Sequence, residues 1–158
     1  MPRLNNGDAF PALTLDTVAD GPWSVTHHLA GSYGAVLLYR GSWCPYCNAQ
    51  LAAFARAKGR LDEVGLKVAA LSVDDKAAAL ALVEKHGLNF PVGYGADADE
   101  IAAATGAYVN DSPRYLQSTG FVLDPDGRVI TAVYSSGAIG RLVAEDVIGF
   151  VRYVKSKA

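Results

Sequence analysis

One stretch constrains this chain more than any other: Tyr39-Arg40-Gly41-Ser42-Trp43-Cys44-Pro45-Tyr46-Cys47, which holds both cysteines of the 158-residue sequence. The apolar run Ala35-Val36-Leu37-Leu38-Tyr39 precedes it and reads as a strand buried on both faces. A helical pattern from Asn48 to about Leu61 follows, with Cys47, Leu51, Phe54 and Leu61 spaced to fall on one stripe. A Cys-x-x-Cys between a strand and a helix reads as a redox motif. Pro45 suits the first helical position, where its missing N–H costs nothing. Cys44 then sits at the N-cap, expected at the exposed helix tip, and Cys47 lies in the first turn facing inward. Side chains three apart on a helix approach within about 5–6 Å, close enough that a small adjustment makes or breaks a disulfide. The helix N-terminus favours thiolate over thiol and can bring a cysteine below its free pKa of about 8.5.

Two plainer readings of the pair compete. A closed zinc site needs four ligands, and His27, His28 and His86 are not spaced to complete one with Cys44 and Cys47. Two inert core thiols would not need this spacing around a proline.

The motif Trp43-Cys44-Pro45-Tyr46-Cys47 resembles the active-site motif of thioredoxin-fold proteins, with a Pro-Tyr centre like that of glutaredoxins. The wider chain resembles the redoxin branch, the alkyl hydroperoxide reductase/thiol-specific antioxidant (peroxiredoxin) family. Asn6-Gly7-Asp8-Ala9-Phe10-Pro11 is similar to that family's opening, Leu71-Ser72-Val73-Asp74 to its second core strand, and Phe121 to Gly127 to its later hairpin. The resemblance implies a thioredoxin-like α/β fold: a central mixed β-sheet flanked by helices, with an N-terminal β-hairpin extension. It also implies dithiol chemistry that reduces peroxides or disulfides, without a cofactor. A thioredoxin-like or glutathione reductant would recycle the protein.

Aligned on that family's Pro-x-x-x-Thr-x-x-Cys pattern, Cys47 takes the peroxidatic position, Cys44 replaces the threonine and Arg40 replaces the proline. Ser118 stands where the family carries an arginine and thioredoxins a cis-proline. Arg40 and Arg114 are the candidates for the missing positive charge, and Trp43, Tyr46 and Tyr39 for the walls of the site. Two mechanisms stay open. In one, Cys44 attacks a disulfide and Cys47 resolves the mixed disulfide. In the other, a thiolate attacks peroxide and the resulting sulfenic acid condenses with the second cysteine. A redox sensor that oxidises once, and a glutathione-binding protein, are the readings from other classes; turnover with a reductant, and a glutathione adduct trapped on Cys44, would distinguish them.

Length and charge bound the rest. The length suits a single domain over residues 1–158. A net charge of −2 gives no electrostatic case for nucleic acid or an anionic membrane. Met1-Pro2-Arg3-Leu4-Asn5 lacks the apolar core of a secretory leader, which points to the cytoplasm. Around the motif, Ala12–Asp16 and Trp23–Thr26 are expected as strands joined by a turn at Asp20-Gly21-Pro22, with His27 and His28 in a solvated loop. A strand over Leu66–Val73, a helix ending at Gly87, an extended piece at 89–92 and a short helix between Asp97 and Gly106 should follow. Residues 107–117 read as a polar loop and a candidate substrate-contact segment. A hairpin, Thr119–Leu123 with Val129–Tyr134, turns at Asp124-Pro125-Asp126-Gly127. The last helix carries Val143, Val147, Phe150, Val151 and Val154 on one face. The run from Ser135 to Gly140 reads as a plain connector.

Overall fold

A computed structural model describes residues 3–19 and 21–158. The strands are β1 (Thr14–Thr17), β2 (Gly21–Ser24), β3 (Tyr33–Leu38), β4 (Leu66–Leu71), β5 (Val92–Tyr94), β6 (Val109–Asn110), β7 (Tyr115–Leu116), β8 (Thr119–Leu123) and β9 (Val129–Tyr134). The helices are α1 (Val25–Leu29), α2 (Pro45–Arg56), α3 (Lys58–Glu63), α4 (Lys76–His86), α5 (Ala98–Thr105) and α6 (Ala144–Ser156). Seven strands form one mixed sheet in the order β2-β1-β5-β4-β3-β8-β9, with β6 and β7 as a separate small hairpin.

The alternation of β3 divides the core. Ala35 and Leu37 point into one apolar cluster with the side chains of α2, α3, α4 and α6, while Val36 and Leu38 point into the other, with α1 and α5. A strand covered on both faces must be apolar throughout, which is why the run before the dithiol is unbroken. β3 pairs parallel with β4 and antiparallel with β8, placing Leu38 opposite both Leu71 and Thr119. Tyr134, at the end of β9, pairs with Thr119. The end of β4, the start of β8 and the loop after β9 therefore all converge on the end of β3, where the dithiol begins.

Several boundaries differ from the sequence reading. The dithiol helix starts at Pro45 and breaks at Ala57, so the expected continuous helix to Leu61 is α2 followed by α3. His27 and His28 lie on α1 rather than in a loop; Ser24 caps that helix by accepting from the His27 N–H at 3.5 Å. The segment 107–117 is not a plain loop but contains the β6–β7 hairpin. The turn expected at Asp20-Gly21-Pro22 falls partly outside the described residues, since Asp20 is not among them; Gly21 and Pro22 open β2. Met1 and Pro2, which begin the segment read for a secretory leader, lie outside them too. Val143 is the half-exposed N-cap of α6 rather than part of its inner face. The N-terminal hairpin β1–β2, the β8–β9 hairpin and the left-handed Gly87 closing α4 (φ 57°) are as the sequence suggested.

Helix α5 shows how firmly local chemistry sets these elements. Asp97 accepts from the N–H groups of Asp99 (2.9 Å) and Glu100 (3.2 Å), satisfying two donors that have no partner within the helix. Asp97→Ala is expected to cost about 1 kcal/mol, measured as a lower urea midpoint with an unchanged slope.

Candidate active site

Cys44 is the N-cap of α2 in extended geometry (φ −86°, ψ 115°), with Pro45 at the first helical position. Its Sγ accepts from the Cys47 N–H at 3.3 Å. The turn is held from three sides. Cys44 N–H donates to the Gly41 carbonyl (3.1 Å), and Ser42 N–H donates to an Asp74 carboxylate oxygen (2.8 Å). Asn48 Nδ2 donates to the carbonyls of Ser42 and Cys44, both at 2.8 Å. His86 contacts Asn48 Oδ1 at 2.6 Å, tying the end of α4 to the start of α2.

Each sulfur faces an arginine. Arg40 places Nη1 3.7 Å from Cys44 Sγ while donating to Gln117 Oε1 (2.9 Å) and the Tyr115 hydroxyl (3.0 Å). Its guanidinium also lies against two rings, 5.0 Å from the centroid of Trp43 and 5.2 Å from that of Tyr115. Arg141 places Nη2 3.4 Å from Cys47 Sγ and is braced by Gln50 Oε1 (2.6 Å) and the Ala138 carbonyl (2.6 and 3.1 Å). The Cys47 sulfur also accepts from the Arg40 backbone N–H at 3.4 Å.

These contacts split the two thiols. Burial pushes the Cys44 thiol up, but hydrogen bonds from the Cys47 thiol and N–H, the Arg40 guanidinium and the charge of Arg141 outweigh it, so its pKa falls below the ordinary value. Burial pushes the Cys47 thiol up, and sharing its proton with Cys44 raises it further. Of the two, Cys44 is the thiol that gives up its proton more readily and Cys47 the one that keeps it. Burial likewise raises the nearby Asp74 carboxyl, against hydrogen bonds from Ser42 and Ser72.

The other sequence candidates are placed as follows. Cys44 is not exposed as expected at a helix tip: it is 0% accessible, part of the larger core cluster with the Arg40 guanidinium against its sulfur. Trp43 and Tyr46 are each 54% exposed beside it, so neither is core packing. Tyr39 is fully buried, and burial raises its hydroxyl's pKa. Ser118 is buried next to Gln117, its carbonyl accepting from Ser135 N–H at 3.0 Å. Arg114 does not supply the second charge: its guanidinium is engaged on the surface by Asp99 and by Asp111 (3.0 Å). That charge comes from Arg141, which the sequence reading passed over as the residue after a plain connector. Within 107–117, the segment marked for substrate contact, Tyr115 and Gln117 reach the site through Arg40. No three His, Cys, Asp or Glu side chains gather into a metal-binding group among the described residues, and no helix among them is long and apolar enough to cross a membrane.

The sequence model of the AhpC/TSA family matches residues 6–132, most of the chain. The chain belongs to the AhpC/TSA family. A putative peroxiredoxin of Mycobacterium tuberculosis is 31% identical over 147 residues, covering 89% of this chain and 91% of that protein. A peroxiredoxin of Treponema denticola is 29% identical over 160 residues, covering 99% of this chain and 74% of the relative. The crystal structure of a cysteine-to-serine mutant of peroxiredoxin 6 from Arenicola marina superposes with a TM-score of 0.84 at 18% identity, covering 96% of this chain and 74% of the other. The fold of this AhpC/TSA protein is therefore the thioredoxin-like one, and the protein is a thiol-dependent oxidoreductase of the peroxiredoxin kind. Its family chemistry is the reduction of peroxides at the expense of thiols.

Proposed function

We propose that residues 1–158 act as one redoxin unit in which Cys44 is the attacking thiolate and Cys47 the resolving thiol. The observation that carries this is position: Cys44 is the N-cap of α2, its Sγ accepting from the Cys47 N–H at 3.3 Å beside Arg40, and its pKa is lowered where that of Cys47 is raised. The thiolate attacks one peroxide oxygen, the O–O bond breaks, and the departing hydroxide or alkoxide takes up a proton. Cys44 becomes a sulfenic acid. Cys47 then attacks that sulfur; the S–O bond breaks, the Cys47 proton leaves with the hydroxyl as water, and a Cys44–Cys47 disulfide forms. Two thiols, from glutathione or a thioredoxin-like dithiol, restore the pair and are themselves oxidised to a disulfide.

Roles follow for the surrounding residues. Arg40 stabilises the thiolate and the charge growing on the departing oxygen, as fixed donors do best in a partly dry site. Pro45 fixes the helix start that aims both sulfurs. Trp43 and Tyr46 form the rim, and Ser118 sets the backbone that presents Gln117 to Arg40. A site built this way calls for no cofactor, and the cytoplasm, with its supply of reducing thiols, is the compartment it suits.

One observation favours the reverse order. Cys47 holds the position that the family's peroxidatic cysteine takes and has Arg141 3.4 Å away. Stopped-flow oxidation of the reduced protein by hydrogen peroxide, followed by tryptophan fluorescence, separates the two. The wild type should react far faster than a free thiol at the same pH. Cys44→Ser should lose the fast phase, while Cys47→Ser should form a sulfenic acid once and fail to turn over. The opposite pattern assigns attack to Cys47. Sustained turnover by the wild type with a thiol reductant excludes a one-shot sensor.

A further inference from the structure

Cys44 is inaccessible in the reduced protein, yet it must meet its substrate. It belongs to the larger core cluster, and a clasp of one charged and two aromatic side chains lies beside it. Arg40 is the charged group on the sulfur, and its guanidinium lies beside the rings of both Trp43 and Tyr115, which meet edge to face at 4.8 Å and 68°. Trp43 folds back over its own loop into the space above Gly41. A Cβ on Gly41 would overlap the indole nitrogen and lie 2.8 Å from two further ring atoms. No positive φ requires glycine at this position; the closed indole does. The ring is nonetheless 54% exposed, so little buried surface holds it shut.

We propose that Trp43 is a specificity-determining residue: closed over Gly41 with Arg40 and Tyr115, its ring is a size filter on Cys44 that passes small hydroperoxides and holds back bulky ones until it swings out. This rests on Cys44 being the attacking sulfur. Hydrogen peroxide needs only a displacement of Arg40 by an atom or two. A hydroperoxide on a branched or aromatic carbon must also occupy the volume of the indole. Its rate is reduced by the fraction of molecules in the open form; an open form at about 1–10%, the upper part of the ~0.1–10% range usual for minor conformers, would slow it about 10–100-fold.

The test compares the second-order rates of hydrogen peroxide and cumene hydroperoxide with the reduced wild type, Trp43→Ala and Gly41→Ala, each read as disulfide formed after acid quench and alkylation of remaining thiols. Trp43→Ala removes the ring. Gly41→Ala keeps it but expels it from its seat, so the two variants reach the open form by different routes. Thermal melts identify which of them remain folded. The cumene-to-hydrogen-peroxide rate ratio is expected to rise about 10–100-fold in both. A ratio unchanged in a folded variant, or a parallel fall of both rates, overturns the filter. Cys44→Ser, run alongside, reports separately on the underlying assignment: retention of its fast phase would move the attack to Cys47, whatever the ratios.

Discussion

Arg40→Met is expected to slow oxidation of the reduced protein by hydrogen peroxide at pH 7 by about tenfold or more, measured by stopped flow. The guanidinium is among the groups that hold the Cys44 pKa below its ordinary value against the upward push of burial. Only the thiolate attacks. With Cys44 as the attacking sulfur, as proposed above, the rate rises with pH through the Cys44 pKa and levels off above it. Methionine removes a positive partner, so that pKa rises and the climb of the profile moves to higher pH. At a fixed pH below the climb, the thiolate fraction falls by about tenfold for every pH unit that the climb moves. If Arg40 acts through ionisation alone, the two profiles meet at high pH. A gap that persists on the plateau measures its direct hold on the oxygen that leaves. Arg40→Lys should not restore the wild-type rate. An ammonium cannot at once face Cys44, bond Gln117 and Tyr115, and lie against two rings.

The largest loss of stability is expected from Phe54→Ala, at about 3–5 kcal/mol. Phe54 is 1% exposed and belongs to the larger core cluster, on the same stripe of α2 as Cys47 and Leu51. Its removal leaves a cavity beneath the helix that carries the dithiol, and rigid neighbours fill such a space only in part. Against a typical net stability of about 5–15 kcal/mol, this is a large share. Urea denaturation of the reduced protein should show the midpoint falling with little change in slope. Keeping the protein reduced matters, because the disulfide is short-range and would add a second variable.

What the sequence disclosed about the site was local. The strand, the dithiol, Pro45 and the stripe of α2 follow from residues next to one another, and the hydrogen bond from Cys47 N–H to Cys44 Sγ is what an N-cap three residues ahead would make. The break at Ala57 escaped because Leu61 continues the apolar spacing across it. The short helix α1 escaped too, although Ser24 before Val25-Thr26-His27 was a readable cap. The partners of the sulfurs were legible only in part. Arg40 was a candidate, but Gln117 and Tyr115, which orient it, lie more than seventy residues on and arrive through the antiparallel pairing of β3 with β8. Arg141 lies beyond the stretch that matches the family, after a run of small residues with no motif of its own. Burial of Cys44 could not be inferred from helix position, because it depends on the Arg40 guanidinium and on core side chains from distant parts of the sequence.

Arg141 reaches Cys47 from ninety-four positions down the chain. On a ribosome, both cysteines emerge long before the residue that faces one of them, and before α6, which completes the core cluster under the dithiol helix. A partly synthesised chain thus carries the thiols without their full electrostatic setting, and the reactivity of the pair matures only when the last strand and helix have docked.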